Sequence, residues 1–228
     1  MLMKEFHKVP HTGIVVLLSG GLDSSTLVST CVEAFGRQNV HPISFDYGQK
    51  HKRELTAAMA IASYYQLRNH KLIDMSFFAK LAPTSSQTNP LIAVPEGHYA
   101  DASMKLTVVP NRNSVMLNLA VAYAIGLDVQ TVGYAAHAGD HAIYPDCRSE
   151  FVEAEAKVFE LCDYKPVHLF TPFMGMSKRA IAMLARGNGT PIEFTYSCYV
   201  GEYNHCGKCG TCVERKEALE GFDPTRYE

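Results

Sequence analysis

The 228-residue chain lacks an excess of charge of either sign: 21 Lys and Arg against 23 Asp and Glu leave a formal net charge of -2, with a sequence pI near 6.5. Without a global basic field, tight nucleic-acid binding has no broad electrostatic footing, although a single groove can still be positive. A long apolar run is missing from residues 1–13, which carry Lys, Glu and His instead. That argues against a secretory signal or a membrane span and leads us to expect a cytoplasmic protein. Missing too are the Walker A pattern G-x-x-x-x-G-K-[ST] and a G-x-G-x-x-G directly after a strand. What the chain does have is 47% hydrophobic residues, enough for a full α/β core with an appendage.

Residues 14–25, IVVLLSGGLDSS, organise the rest. An apolar β-branched run, a Ser-Gly-Gly turn and an Asp-Ser-Ser helix opening form a strand, glycine turn and helix N-terminus. Glycines let backbone amides approach a ligand closely, and a helix start aims unpaired N–H groups at it, so the bound group should be an anion. Ser19-Gly20-Gly21-Leu22-Asp23-Ser24-Ser25 resembles the PP-loop of the ATP pyrophosphatase superfamily, whose members adenylate a carbonyl or carboxyl oxygen and release pyrophosphate. That resemblance makes Leu18 to Ser25 the ATP-binding stretch. It puts Asp23 near a magnesium ion, with Ser19 and Ser24 near the departing pyrophosphate.

Further strand and helix patterns follow. A strand over 40–46 ends in Asp46-Tyr47-Gly48-Gln49, and a helix is expected over 50–67. A short strand at 70–75 and one or two helical turns at 76–81 come next. The repeat of strand, turn and helix predicts a parallel sheet with right-handed crossovers and ligands at the carboxyl ends of its strands. Asp46 and Gln49 sit at such an end. Residues 83–110 show no period and read as a lid-like loop that orders over substrate.

Arg112, Asn113 and Ser114 introduce a helix expected to be buried on nearly every side. Arg112 is a fork-shaped donor for phosphate or carboxylate, and Asn113 can cap the helix or read a base. A strand over 129–134 feeds the polar loop that holds Asp140, His141, Asp146, Cys147 and Arg148. Ser149 is expected to cap a helix with Phe151, Val158 and Leu161 on its buried face and Glu150, Glu153 and Glu155 in solvent. A fifth strand over 167–172 leads to a helix opened by Ser177 and Lys178; a lysine there opposes the helix dipole, which suggests chemistry.

Seven cysteines cannot all pair, and Cys198, Cys206, Cys209 and Cys212 crowd one glycine-rich segment. In a reducing compartment four soft ligands suit a closed, structural zinc site, with an iron–sulfur cluster, which uses similar ligands, as the alternative. Cys31 and Cys162 read as core thiols.

Together, SGGLDSS, FDYGQKH, VPNRN, YPDCR, the Pro172 to Lys178 segment and the cysteine knuckle resemble the 7-cyano-7-deazaguanine synthase family over residues 14–212. The resemblance implies an α/β fold, a parallel Rossmann-like sheet of the PP-loop (adenine nucleotide alpha hydrolase-like) type with a C-terminal zinc knuckle. It implies an ATP-binding unit over 1–190 and a zinc segment over 191–228. The implied substrates are 7-carboxy-7-deazaguanine, ammonia and ATP, with Mg2+ and structural Zn2+, and the implied assembly is a homodimer. Asp23, Arg112 and Lys178 become the catalytic candidates, Asp46 joins the nucleotide site, and Gln49, Asn113, Asp140, His141, Asp146 and Arg148 the substrate site. The chain departs from the commoner family form at Asn111, where a glycine is usual, and across 137–143. Two other readings are a relative that stops at the amide or serves another amine, and an RNA-binding zinc module using Lys50-His51-Lys52-Arg53.

Overall fold

The computed structural model describes residue 10 and residues 13–137, 143–201 and 203–228. Asp140 and His141 lie outside the described residues. Five parallel strands, β1 (Ile14–Leu17), β2 (Val40–Asp46), β3 (Lys71–Asp74), β4 (Thr131–Gly133) and β5 (His168–Phe170), form one sheet in the order β3-β2-β1-β4-β5. Helices α1 (Leu22–Phe35), α2 (Arg53–Tyr64), α3 (Arg112–Gly126), α4 (Ser149–Phe159) and α5 (Lys178–Gly187) cover it, and α6 (Gly210–Ala218) closes the C-terminal segment.

β1 explains why its sequence is apolar without alternation. Ile14 and Val16 pack into one core with α1, α2 and α5, whereas Val15 packs into a second core with α3. A central parallel strand buried on both faces has no polar side to show. Strand order reverses at β1, whose neighbours are β2 and β4, and that reversal opens a crevice at the carboxyl ends of the strands. The cysteine segment is not a loose tail: Ala218 and Leu219 share a buried cluster with Leu22 of α1 and Ala182 and Ala185 of α5.

Several expectations change. The helix expected over 50–67 is shorter, Arg53–Tyr64. Residues 83–110 are not structureless: Ser85, Ser86 and Gln87 are buried, Lys50 N donates to Gln87 O at 2.8 Å, and Glu96 bridges Cys209. A 3-10 turn at Ala102–Thr107 follows. α3 exposes Asn118 and Leu119, so it is buried on one side rather than all round. Its cap is Asn111 in the left-handed region (φ 58°), and Asn113 lies inside the helix. Ser149 is the first helical residue of α4, not its cap, and its hydroxyl turns to Glu150. The buried face of α4 is Val152, Glu155 and Phe159, while Val158 and Leu161 are exposed. Glu155 is buried because Asn118 of α3 reaches it at 3.3 Å, a partner that local periodicity does not reveal. Cys31 is a core thiol, but Cys162 is exposed.

Candidate active site

A cavity of about 260 Å³ occupies the crevice. The β1 turn forms one wall. Gly21 caps α1 without a side-chain hydrogen bond, so the first helical amides keep their donors for a ligand. Ser24 Oγ holds the turn: it accepts from Ser19 N at 3.2 Å and lies 3.0 Å from Ser19 Oγ. Gly20 adopts φ +84°, and a Cβ there would stand 2.3 Å from Glu54 O and 2.6 Å from Ala58 N. That glycine seats the turn directly on α2.

A charge cluster crosses the turn. Lys178 Nζ lies 2.6 Å from Asp23 Oδ2 and 3.1 Å from Glu214 Oε2, and His137 Nε2 is 3.6 Å from Asp23. Burial alone pushes the Asp23 carboxyl up; Lys178, His137 and Arg215 more than offset it and hold it below its ordinary value. The dipole-opposing position of Lys178 is thereby explained: two carboxylates receive it. Asp23 Oδ1 is buried without a hydrogen-bond partner among the described residues. A hard oxygen left open beside a phosphate turn fits a magnesium ion.

The opposite wall is aromatic. Arg112 stacks 5.1 Å from the Tyr47 ring centroid and donates to Tyr47 OH at 3.2 Å and to Asn113 Oδ1 at 3.2 Å. Asn113 Nδ2 and Tyr134 OH meet Cys147 Sγ at 3.9 and 3.5 Å. Burial is the first cause raising the phenol pKa values of Tyr47, Tyr134 and Tyr199, so these are neutral, flat surfaces suited to a planar heterocycle. Tyr99 and Met104, from the segment expected to be a lid, complete the enclosure.

The cysteines converge. Cys206 and Cys212 Sγ are 3.9 Å apart, Cys209 and Cys198 Sγ 4.0 Å, and all four sulfurs lie within 4.8 Å of one another. Zn–S bonds of about 2.3 Å in a tetrahedron require S···S edges of about 3.8 Å, so the set fits zinc. Val200, Gly201 and Cys206 amides donate to Cys198 Sγ, and Lys208 and Cys209 amides to Cys206 Sγ, which favours thiolates. His205 is not part of the set; its Nε2 accepts from Ser197 N.

Of the residues singled out in the sequence, Leu18, Ser19, Gly21, Leu22, Asp23, Ser24, Arg112, Asn113 and Lys178 line this one cavity. Gly20 and Ser25 do not line it; Gly20 packs on α2. Asp46 is taken up by Lys52 at 2.6 Å, and Gln49 is a buried strut between Tyr47 N, Phe45 O and Glu54. Asp146 and Arg148 do not line the cavity, although Asp146 Oδ1 is a buried acceptor without a hydrogen-bond partner among the described residues. The basic run is also occupied: Lys50 Nζ donates to Ile92 O, and Arg53 lies over the Tyr196 and Tyr203 rings. Sequence reasoning missed Glu54, His137, Glu214 and Arg215. Only Glu214 and Arg215 carried a signal, as adjacent charged residues just beyond Cys212, the last cysteine of the cluster.

The family described as Queuosine biosynthesis protein QueC matches residues 13–223. The chain belongs to that family. It is 49% identical over 217 residues to the 7-cyano-7-deazaguanine synthase of Caldicellulosiruptor saccharolyticus, covering 94% of this chain and 95% of that protein. It is 48% identical to the 7-cyano-7-deazaguanine synthase of Methanoregula boonei, covering 94% and 98%. Among solved structures, the NH3-dependent NAD synthetase from Campylobacter jejuni in complex with nitrate matches with a TM-score of 0.50 at 16% identity, over 86% of this chain and 74% of that one. That likeness is one of fold. Asn111, where the resemblance leads us to expect a departure from the family form, stands at φ 58°, a backbone conformation that suits glycine and asparagine alike.

Proposed function

We propose that this chain is an ATP-dependent carbon–nitrogen ligase that converts 7-carboxy-7-deazaguanine and ammonia to 7-cyano-7-deazaguanine. The observation that carries the reading is one cavity in which the phosphate turn with Asp23 and Lys178 faces the Arg112, Asn113 and tyrosine wall. Its two ends suit a triphosphate and a flat, carboxylated heterocycle. A carboxylate is a poor electrophile, so its oxygen must become a leaving group. Adenylation achieves this, ammonia displaces AMP to give the amide, and a second adenylation of the amide oxygen precedes loss of AMP to the nitrile.

In this reading the α1 amides, Ser19 and Ser24 cradle the departing pyrophosphate, and Lys178 follows its growing charge. Arg112 and Asn113 hold the substrate carboxylate in line with the α-phosphate. A magnesium ion held at Asp23 Oδ1 would supply further charge neutralisation to the phosphates. Zinc on Cys198, Cys206, Cys209 and Cys212 would be structural, because four sulfurs leave no open coordination position. Asp140, His141, Asp146 and Arg148 remain assigned to the substrate loop, and Gln49 and Asp46 act behind the wall. Residues 1–190 form the ATP-binding unit and 191–228 the zinc segment. Among the described residues no helix is long and apolar enough to cross a membrane; we place the protein in the cytoplasm, as a homodimer.

The test is mass spectrometry of the product from purified protein with 7-carboxy-7-deazaguanine, ammonium and ATP, following AMP beside the base. Nitrile with AMP is expected. A base that stops at the amide would remove the final product, and an unchanged base without AMP would remove the substrate.

A further inference from the structure

Glu54 has no place in the steps above, yet it stands in the site. It lies in the first turn of α2, partly buried, in the wall of the same cavity as Ser19, Asp23 and Lys178. Its backbone oxygen occupies the space that a Gly20 Cβ would need, so it is seated against the phosphate turn. Gln49 Nε2 donates to one carboxylate oxygen at 2.9 Å, and Gln49 is itself fixed by Tyr47 N at 2.8 Å. The other oxygen receives no hydrogen bond from the described residues.

The groups facing Glu54 are Arg112 from α3 and Tyr47 and Asp46 from the end of β2. Arg112 is already engaged by Tyr47 and Asn113, and Asp46 by Lys52. Burial pushes the Glu54 carboxyl up to about 7, despite Arg112 and the Gln49 hydrogen bond pulling it down. The other acids of the cavity, Asp23 and Glu214, both contact the Lys178 ammonium, at 2.6 and 3.1 Å. His137 is wholly buried and does not line the cavity.

Resting on the proposed function, the chemistry leaves one gap. Ammonia at neutral pH is ammonium, which has no lone pair. We propose that the Glu54 carboxylate is the proton acceptor that converts bound ammonium to ammonia beside the adenylated carboxylate. One N–H bond breaks and its proton goes to the free Glu54 oxygen. The nitrogen lone pair then forms the C–N bond, the C–O bond to AMP breaks with its electron pair leaving on the phosphate, and the second nitrogen proton departs to that phosphate or to water. Glu54 is reset by releasing its proton to solvent.

Glu54→Gln tests this with three readings. Carboxylate-dependent ATP–pyrophosphate exchange reports adenylation alone. Trapping with hydroxylamine, uncharged at neutral pH, reports an acyl-adenylate that needs no base. Amide formation from saturating ammonium reports the whole step. The variant is expected to keep exchange and hydroxamate formation within about threefold while ammonium-dependent amide falls about 100-fold or more. In the wild type the ammonium-dependent rate should hold down to about pH 7 before falling. In the variant, which depends on free ammonia already in solution, it should fall steadily below about pH 9, and the limb near about 7 should return in Glu54→Asp. Loss of exchange and hydroxamate together with amide would overturn the proposal in favour of a metal-holding or structural role, as would undiminished amide formation. Absence of exchange in the wild-type enzyme would overturn the substrate reading, and this proposal with it.

Discussion

Lys178→Met tests the charge cluster. Lys178 Nζ serves two carboxylates, Asp23 at 2.6 Å and Glu214 at 3.1 Å, whose side chains are 20% and 8% exposed. Methionine matches the stem but leaves both acids without their ammonium. Breaking a buried pair from one side costs about 3–5 kcal/mol, because the remaining charge has lost its water and its partner. With a urea slope of about 2 kcal/mol/M, the midpoint should fall by about 1.5–2.5 M. The pH dependence has a definite sign. In the wild type Asp23 titrates below its ordinary value, so its contribution is present above the carboxylate range and is lost as pH falls through the depressed value. Without Lys178 burial dominates, the carboxyl titrates higher, and protonation relieves the penalty. The deficit should therefore be largest at about pH 8 and shrink by about pH 5. Urea titrations of both proteins at the two pH values decide it. A midpoint shift under about 0.3 M at the higher pH, or an equal shift at both, refutes the reasoning.

Gly20→Ala should lose about 2–5 kcal/mol and most adenylation activity, because its Cβ would meet backbone of α2 at 2.3 and 2.6 Å in a left-handed conformation; thermal unfolding beside pyrophosphate exchange measures both. Asn111→Gly should be neutral to about 0.5 kcal/mol either way, whereas Asn111→Ala should cost about 1 kcal/mol, read from denaturant midpoints. Cys198→Ser should reduce bound zinc below one equivalent by elemental analysis and lower the unfolding temperature, since the sulfur accepts three backbone amides. Native zinc loading without stabilisation over the stripped protein would refute a structural role.

The parts of the fold legible in the sequence were those whose signal is local. β2 runs from Val40 to Asp46 as its pattern foretold, because apolar residues and a glycine boundary are enough to place a parallel strand. The cysteines declare themselves by spacing, and SGGLDSS by its glycines. What escaped depends on distant neighbours. Glu155 looks like any solvated helix acid until Asn118 is brought against it from 37 residues away. Glu54 looks like an acid placed to suit a helix dipole, and only the fold seats it against Gly20. Residue type allows Asn113 either to cap the helix or to read a base; the left-handed Asn111 two positions earlier takes the cap, and Asn113 lies inside the helix. Gln49 was put at the ligand because it follows a strand end, whereas its amide is consumed inside the wall.

α6 begins between Cys209 and Cys212 and carries Glu214 into the Asp23 and Lys178 cluster, while Tyr196 N, just before Cys198, donates to Gly20 O at 2.8 Å. The cysteine knuckle and the phosphate turn are thus joined at both ends of a short stretch of chain. An ion held by the four cysteines would therefore also fix where Tyr196 and Glu214 meet the glycine turn, so that metal supply and the alignment of the cavity wall would be set together.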